Sequence, residues 1–195
     1  MKLAVMLSVH PEHCAKMATG EKGVELRKRA PKLPTPFKCY VYCTKPQKPV
    51  LVNLQNLEKP YIGTYGDHSK RYEAKDCDFA KVCNGKVWAE FICDRVEHYE
   101  PCDWGRAATA ACVSVDDIHK YMSSELVIHG LHISALTIYE KPREIYEFMR
   151  PCQRVACVVC EYGYRGGKVC DAYLKRPPQG WCYVEEIPKP GERRG

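Results

Sequence analysis

The sequence predicts a small α+β domain, a mixed β-barrel with helices at its periphery. Three observations lead there. Segments of strand character are short and alternate apolar with polar residues. Turn residues separate them, and helical patterns interrupt them in the order β-α-β-β…β-α-β…β. At 195 residues and 45% hydrophobic composition, the chain holds enough apolar material for one full core. A single domain over 1–195 is therefore expected, with a long loop or insertion at about 45–84 and a cysteine-rich module at about 150–175.

The elements follow in order. Leu3–Ser8 reads as a short buried strand. Pro11 suits a first helical turn, Cys14, Met17 and Ala18 recur at helical spacing, and Gly20 is a natural stop. A charged strand follows at about Val24–Arg29, and then "APKLPTPF", whose three prolines impose an extended loop. Lys38–Cys43 alternates, with Cys39, Val41 and Cys43 on one face and Tyr40 and Tyr42 on the other. Residues from about Thr44 to Asn84 are polar, punctuated by Pro and Gly, and without clear period.

"GKVWAEFICDRVEHYE" resumes as a long strand in which Val87, Ala89, Phe91 and Cys93 alternate with Lys86, Trp88, Glu90 and Ile92. "SVDDIHKYM" predicts a helix capped by Ser114, with Asp117 completing a capping pattern. "LHISALTIY" is a strand, "PREIYEF" one or two helical turns, and Trp181–Ile187 a last strand before a basic tail.

The formal charge of +6 is a moderate basic bias that favours phosphate-bearing partners without requiring one. No apolar run approaches the roughly 18–20 residues that span a membrane as a helix. Thirteen cysteines without a secretory leader point to a cytoplasmic, reducing location, where they serve as buried apolar residues or metal ligands.

The charged strand carries the first functional candidate. Alternation puts Glu25, Arg27 and Arg29 on one face, with Lys22 at its mouth after Gly20. Guanidinium forks bind phosphate bidentately, lysine adds a point charge, and a glutamate can orient an arginine or accept from a base amino group. The competing reading is a solvated face of internal Glu–Arg pairs. Tyr42, Trp88 and Trp181 are candidates for base stacking or for core, and Thr44 and Lys45 sit at the end of the third strand. His10, His13 and Cys14 on one short helix read as a half-exposed face or a metal-binding one.

The block "LSVHPEHCAKMATGEKGVELRKRAPK" resembles the opening signature of the ASCH domain, a branch of the PUA-like β-barrel superfamily. The resemblance rests on Ser8, Pro11, Glu12, Gly20, Lys22, Glu25, Arg27 and Arg29, and on "CYVYCTK", "GKVWAEFICD", "GLHISALTIYEKPREIYEF" and "RPPQGWCYVEEI". It covers about two-thirds of the chain and is similar to a sub-group of Firmicutes and their phages. It implies a PUA-like barrel that binds single-stranded RNA, a nucleotide or a modified base in a cationic cleft beside the first helix. Lys22, Glu25, Arg27, Arg29, Thr44, Lys45 and His132 of "GLHIS" would line that cleft.

A hydrolytic branch of the family acts on acetylated cytidine through Gly-x-Lys-x-x-Thr-x-Arg. Gly20, Lys22 and Arg27 match that pattern, but Glu25 stands where the threonine nucleophile would. An enzyme acting on nucleosides or RNA would have to use Lys22 and Glu25, the latter as a base toward water. A phage-type sponge for a nucleotide signal, or an inhibitor of a host nucleic-acid enzyme, would use the same cleft.

Cys152, Cys157, Cys160 and Cys170 form C-x4-C-x2-C-x9-C. Two thiolates at C-x2-C chelate one ion, and two more nearby would complete a tetrahedral structural zinc site. Reduced buried cysteines, or a disulfide, are the alternatives.

Overall fold

The computed structural model describes residues 2–45, 50–53, 61–64, 80–151 and 172–187. Its main sheet has six strands in the order β2-β8-β7-β3-β1-β9. These are β1 (Leu3–Val9), β2 (Val24–Arg27), β3 (Phe37–Cys43), β7 (Val87–Tyr99), β8 (Ile128–Arg143) and β9 (Trp181–Glu185). β1 and β3 are parallel, and every other pair is antiparallel.

The sheet is open in its backbone ladder, with β2 and β9 at its two edges, so the expected barrel is corrected in one respect. Side chains, not a strand pairing, bridge the gap between the edges. The indole Nε1 of Trp181 on β9 donates to the Arg29 carbonyl at 2.8 Å, and the Lys32 amide donates to the Tyr183 hydroxyl at 2.7 Å. Just after Arg27 the chain thus leaves the ladder and is held by aromatic hydroxyl and indole groups from the far edge.

The alternation read in β3 is the alternation of two packed layers. Cys39, Val41 and Cys43 join Val5, Leu7, Phe91 and Leu131 in the larger core, while Tyr40 and Tyr42 join Ala4, Met6, Phe148 and Val184 in a second one. Both faces of β1 and β3 are covered, as befits central strands. The cysteines at 39, 43 and 93 behave as small apolar core residues, and burial pushes the Cys39 thiol well above its usual range. On β7 the alternation fails at its start. A register irregularity between Val87 and Ala89 sends Val87 to the second core and Trp88 to the first, the reverse of the expected faces.

The segment 45–84, read as a loop or insertion, contains a second sheet. Val50–Asn53 (β4), Tyr61–Thr64 (β5) and Ala80–Val82 (β6) form an antiparallel trio in the order β5-β4-β6. Strands of three or four residues are too short to establish a period, which is why the sequence shows none. Cys152, Cys157, Cys160 and Cys170 lie outside the described residues. No helix among the described residues is long and apolar enough to cross a membrane.

Among the described residues, three α-helices flank the sheet. The first, α1 (Pro11–Ala18), starts at its proline and ends into Gly20 at φ 77°, a left-handed conformation that glycine takes without strain. Next comes α2 (Trp104–Ala111), which has no counterpart in the sequence reading. Its alanine-rich face (Ala107, Ala108, Ala111) lets it sit close to the sheet. The last, α3 (Val115–Met122), opens with the predicted capping box: the Asp117 amide donates to Ser114 Oγ at 3.0 Å and the Ser114 amide to Asp117 Oδ2 at 3.2 Å. Together α2, α3 and β8 close a third core of Tyr99, Trp104, Ile118, Met122 and Ile128.

Gly130 on β8 is where this packing is tightest. A Cβ there would lie 2.7 Å from both Tyr99 Cε2 and Val24 Cγ1. Gly130→Ala is expected to destabilise the protein by about 1–3 kcal/mol through overpacking, read as a lower urea midpoint at unchanged m-value.

Candidate functional site: a cavity between the first helix and the charged strand

The charged stretch does not face solvent. Lys22, Glu25 and Arg27 are 3%, 6% and 7% exposed, which discards the reading of a solvated charged face. Burying three charges is costly unless each is paired, and here each is. Glu25 Oε1 accepts from Arg27 Nη2 at 2.8 Å, and its Oε2 faces Lys22 Nζ at 3.3 Å. Lys22 Nζ donates to the Ala111 carbonyl at the end of α2 (2.9 Å), and Arg27 Nη2 also donates to the Ser8 carbonyl on β1 (2.8 Å). One carboxylate therefore holds two cations, and those cations tie β2 to α2 and to β1.

This triad forms the floor of a cavity of about 520 Å³, with Ser8 beside it. One wall is polar, from the end of β1 and from α1: His10, Glu12, His13 and Lys16. The opposite wall is largely apolar, from β2, the α2–α3 junction, α3 and β8: Leu26, Val113, Ile118, Ile128 and Tyr121. Tyr121 is 43% exposed at the rim, with Lys28 Nζ 5.1 Å from its ring centroid. The volume falls within the range of roughly 300–1,000 Å³ typical of small-ligand sites.

Two buried polar atoms of this lining have no hydrogen-bond partner: Arg27 Nε and His13 Nδ1. Unpaired buried polar groups are rare and costly. Both atoms are closed off from the cavity as well as from solvent, so a ligand reaches them only with a shift of side chains. Burial, with the Lys22 ammonium second, pushes the His13 imidazole below its ordinary value, and Glu25 and Glu12 only partly offset this. His13 is held neutral, with one ring nitrogen free to accept.

The lining is balanced in charge. Lys16, Lys22 and Arg27 oppose Glu12, Glu25 and Asp117, so the cationic surplus expected from the sequence is absent from the cavity itself. Lys16 is further occupied, donating to the Cys112 carbonyl at 2.7 Å.

The structure gathers Lys22, Glu25 and Arg27 at this floor, but not the other candidates. Arg29 lies past the end of β2 and is exposed, its carbonyl held by Trp181. Thr44 is linked to the cavity only through its amide, which donates to the Val9 carbonyl at 2.9 Å, and Lys45 is exposed. His132 sits in another cluster, its Nε2 2.9 Å from Glu97 Oε2. There Glu97 also accepts from the Tyr99 hydroxyl (2.8 Å) and Arg106 (2.8 Å), and the Tyr99 bond, then that from His132, lowers its pKa. Tyr42 and Trp88 are core residues.

Sequence reasoning missed Lys16, Tyr121 and Ile118 as lining residues. The start of α3 was legible from its capping pattern, but which face met β2 was not.

A comparison of folds gives this arrangement its relatives. Two crystal structures of single-residue variants of the ASCH protein of Zymomonas mobilis, one Tyr→Phe and one Ser→Ala, superpose with a TM-score of 0.54 each. They cover 94% of this chain, and 91% and 89% of their own, at 13% and 14% identity. The chain has the ASCH fold. Sequence comparison adds nothing to this: no family model and no curated protein matches. The ASCH fold thus rests on shared architecture, and within it the Lys22–Glu25–Arg27 triad is a property of this chain's own geometry.

Proposed function

We propose that this ASCH-fold chain is a binding module whose cavity takes one unpaired nucleobase or nucleoside, free or carried by single-stranded RNA. The observation that carries the reading is the cavity itself, floored by the buried Lys22–Glu25–Arg27 triad, with polar α1 side chains on one side and an apolar, tyrosine-edged wall on the other. A planar heterocycle answers all of this at once. Its edge supplies an acceptor to Arg27 and a donor to neutral His13, and its face lies against Ile118 and Tyr121.

The balanced lining argues for a base over a phosphate chain, because a site without cationic surplus gains little from a polyanion. Glu25 acts here as an organiser. Each of its oxygens holds one cation, and this pairing fixes the Arg27 guanidinium in the cavity floor.

The test is calorimetric titration with nucleosides, modified nucleosides and short single-stranded RNA, preceded by mass spectrometry of whatever co-purifies. Arg27→Met is expected to weaken binding tenfold or more while Tm shows the protein still folded. For an oligonucleotide, the slope of log affinity against log salt should correspond to no more than about one or two phosphate contacts. Binding unchanged in Arg27→Met removes the cavity as the site. A steep salt slope transfers the site to a backbone-tracking surface, and turnover of any of these ligands replaces the binding module by an enzyme.

A further inference from the structure

Outside the cavity, β7 and β8 bring two histidines face to face. His98 and His129 are direct cross-strand partners, and their Nδ1 atoms are 2.6 Å apart, with ring centroids at 4.7 Å and planes at 88°. In the next pair of strands His129 is the partner of Arg27, so His98, His129 and Arg27 form one row across β7, β8 and β2. Directly opposed residues share a sheet face. The histidines therefore extend the face that carries the triad, beyond the residues that line the cavity.

Two imidazoles this close cannot both be protonated without strong repulsion. With a single proton between the Nδ1 atoms, one ring donates and the other accepts. Neither ring has a carboxylate hydrogen bond of the kind that His132 makes with Glu97. Mutually facing, fixed by strand register and with His98 exposed to solvent, the pair has the geometry and the access that metal ligation requires.

We propose that His98 and His129 form a two-imidazole clamp for a borderline divalent transition-metal ion of the zinc, nickel or copper type. Metal–nitrogen bonds of about 2.0–2.1 Å need the two donor atoms roughly 3 Å apart. The present gap thus opens by only a few tenths of an ångström, within reach of side-chain rotation on the exposed His98. The ion takes the place of the shared proton, which moves to the Nε2 of the ring that carried it, so both neutral rings turn an Nδ1 lone pair to the metal and no net proton is lost.

Among the described residues no group of three His, Cys, Asp or Glu side chains is gathered at ligand range. The described residues therefore supply two positions, and water or a further donor completes the coordination. Imidazole nitrogens with open water positions select these ions over magnesium or calcium, which prefer oxygen. This site is independent of the base-binding reading, and either can fail alone.

The experiment titrates Ni²⁺ into the full chain, dialysed free of loosely held metal, and follows the imidazole carbon-bound protons by NMR. Nickel broadens only nuclei near it, which separates this site from any binding by cysteines. The expected result is selective broadening of His98 and His129 at substoichiometric Ni²⁺, before His10, His119 and His132, with micromolar affinity. His98→Ala should remove the selectivity and weaken that binding tenfold or more. His129→Gln should do the same, and Mg²⁺ should leave all the signals unchanged. Uniform broadening of all the histidines, or Ni²⁺ affinity at this pair that persists in His98→Ala, overturns the proposal.

Discussion

Glu25→Ala is expected to cost about 3–5 kcal/mol of stability, a large share of what a domain of this size possesses. The cost does not come from the strength of the lost ion pairs. It comes from what remains: Lys22 and Arg27, 3% and 7% exposed, would keep their charges in a site that no longer neutralises them. Each also keeps a backbone carbonyl, Ala111 for Lys22 and Ser8 for Arg27, so neither can swing to water without breaking a second contact.

Urea denaturation followed by circular dichroism measures the loss. A companion variant separates charge from packing. Replacing all three residues together, as Lys22→Met, Glu25→Leu and Arg27→Met, should be far less destabilising than Glu25→Ala alone, because no isolated charge is left buried. That triple variant should nonetheless bind no nucleoside. If Glu25→Ala is as stable as the parent chain, the triad is solvated in solution and its geometry does not hold.

Nucleoside affinity is expected to fall with acidification, by up to about tenfold per pH unit once the pH is below the folded-state pKa of His13. The direction follows from the site. Burial and the Lys22 ammonium favour the neutral imidazole, so its pKa in the folded chain lies below the ordinary 6.5. Lys16 adds to that effect, Glu25 and Glu12 oppose it, and Asp117 lies within electrostatic reach. Above that pKa His13 is already neutral and affinity levels off, whereas below it protonation removes the acceptor that the ligand's donor needs.

Stability moves in the same sense. The unfolded chain takes up this proton more readily than the folded one. Stability therefore rises with pH between the two pKa values and is lost as the pH falls through 6.5 toward the folded value. His13→Gln should bind less tightly at neutral pH but with a flat profile, whereas His10→Gln should keep the slope. An unchanged slope in His13→Gln assigns the titration to another group and removes His13 from the site.

How much of this was legible beforehand depends on the range of the interaction involved. Pro11 at a helix start, Gly20 at its end and the Ser114–Asp117 capping box are contacts within four residues, and they stand as read. The two-layer alternation of β3 was equally local, because a strand's side chains alternate wherever the strand goes. Where locality fails, so did the reading: the irregularity that exchanges Val87 and Trp88 depends on the register with β8, and α2 presents an alanine run whose purpose appears only against Tyr99 and β2.

The candidate site divides along the same line. The sequence by itself determined that Lys22, Glu25 and Arg27 would act together, since two-residue spacing on a strand puts Glu25 and Arg27 on one face and the turn after Gly20 delivers Lys22 to its mouth. Only the tertiary structure decided that these charges are buried, that Arg29 leaves them to be held by Trp181, and that His132 pairs with Glu97 instead. The physical reason is that burial and charge balance are sums over side chains from β1, α1, α3 and the α2–α3 junction, distant in sequence. A charge on a strand is legible in one dimension, but the cost of its surroundings is not.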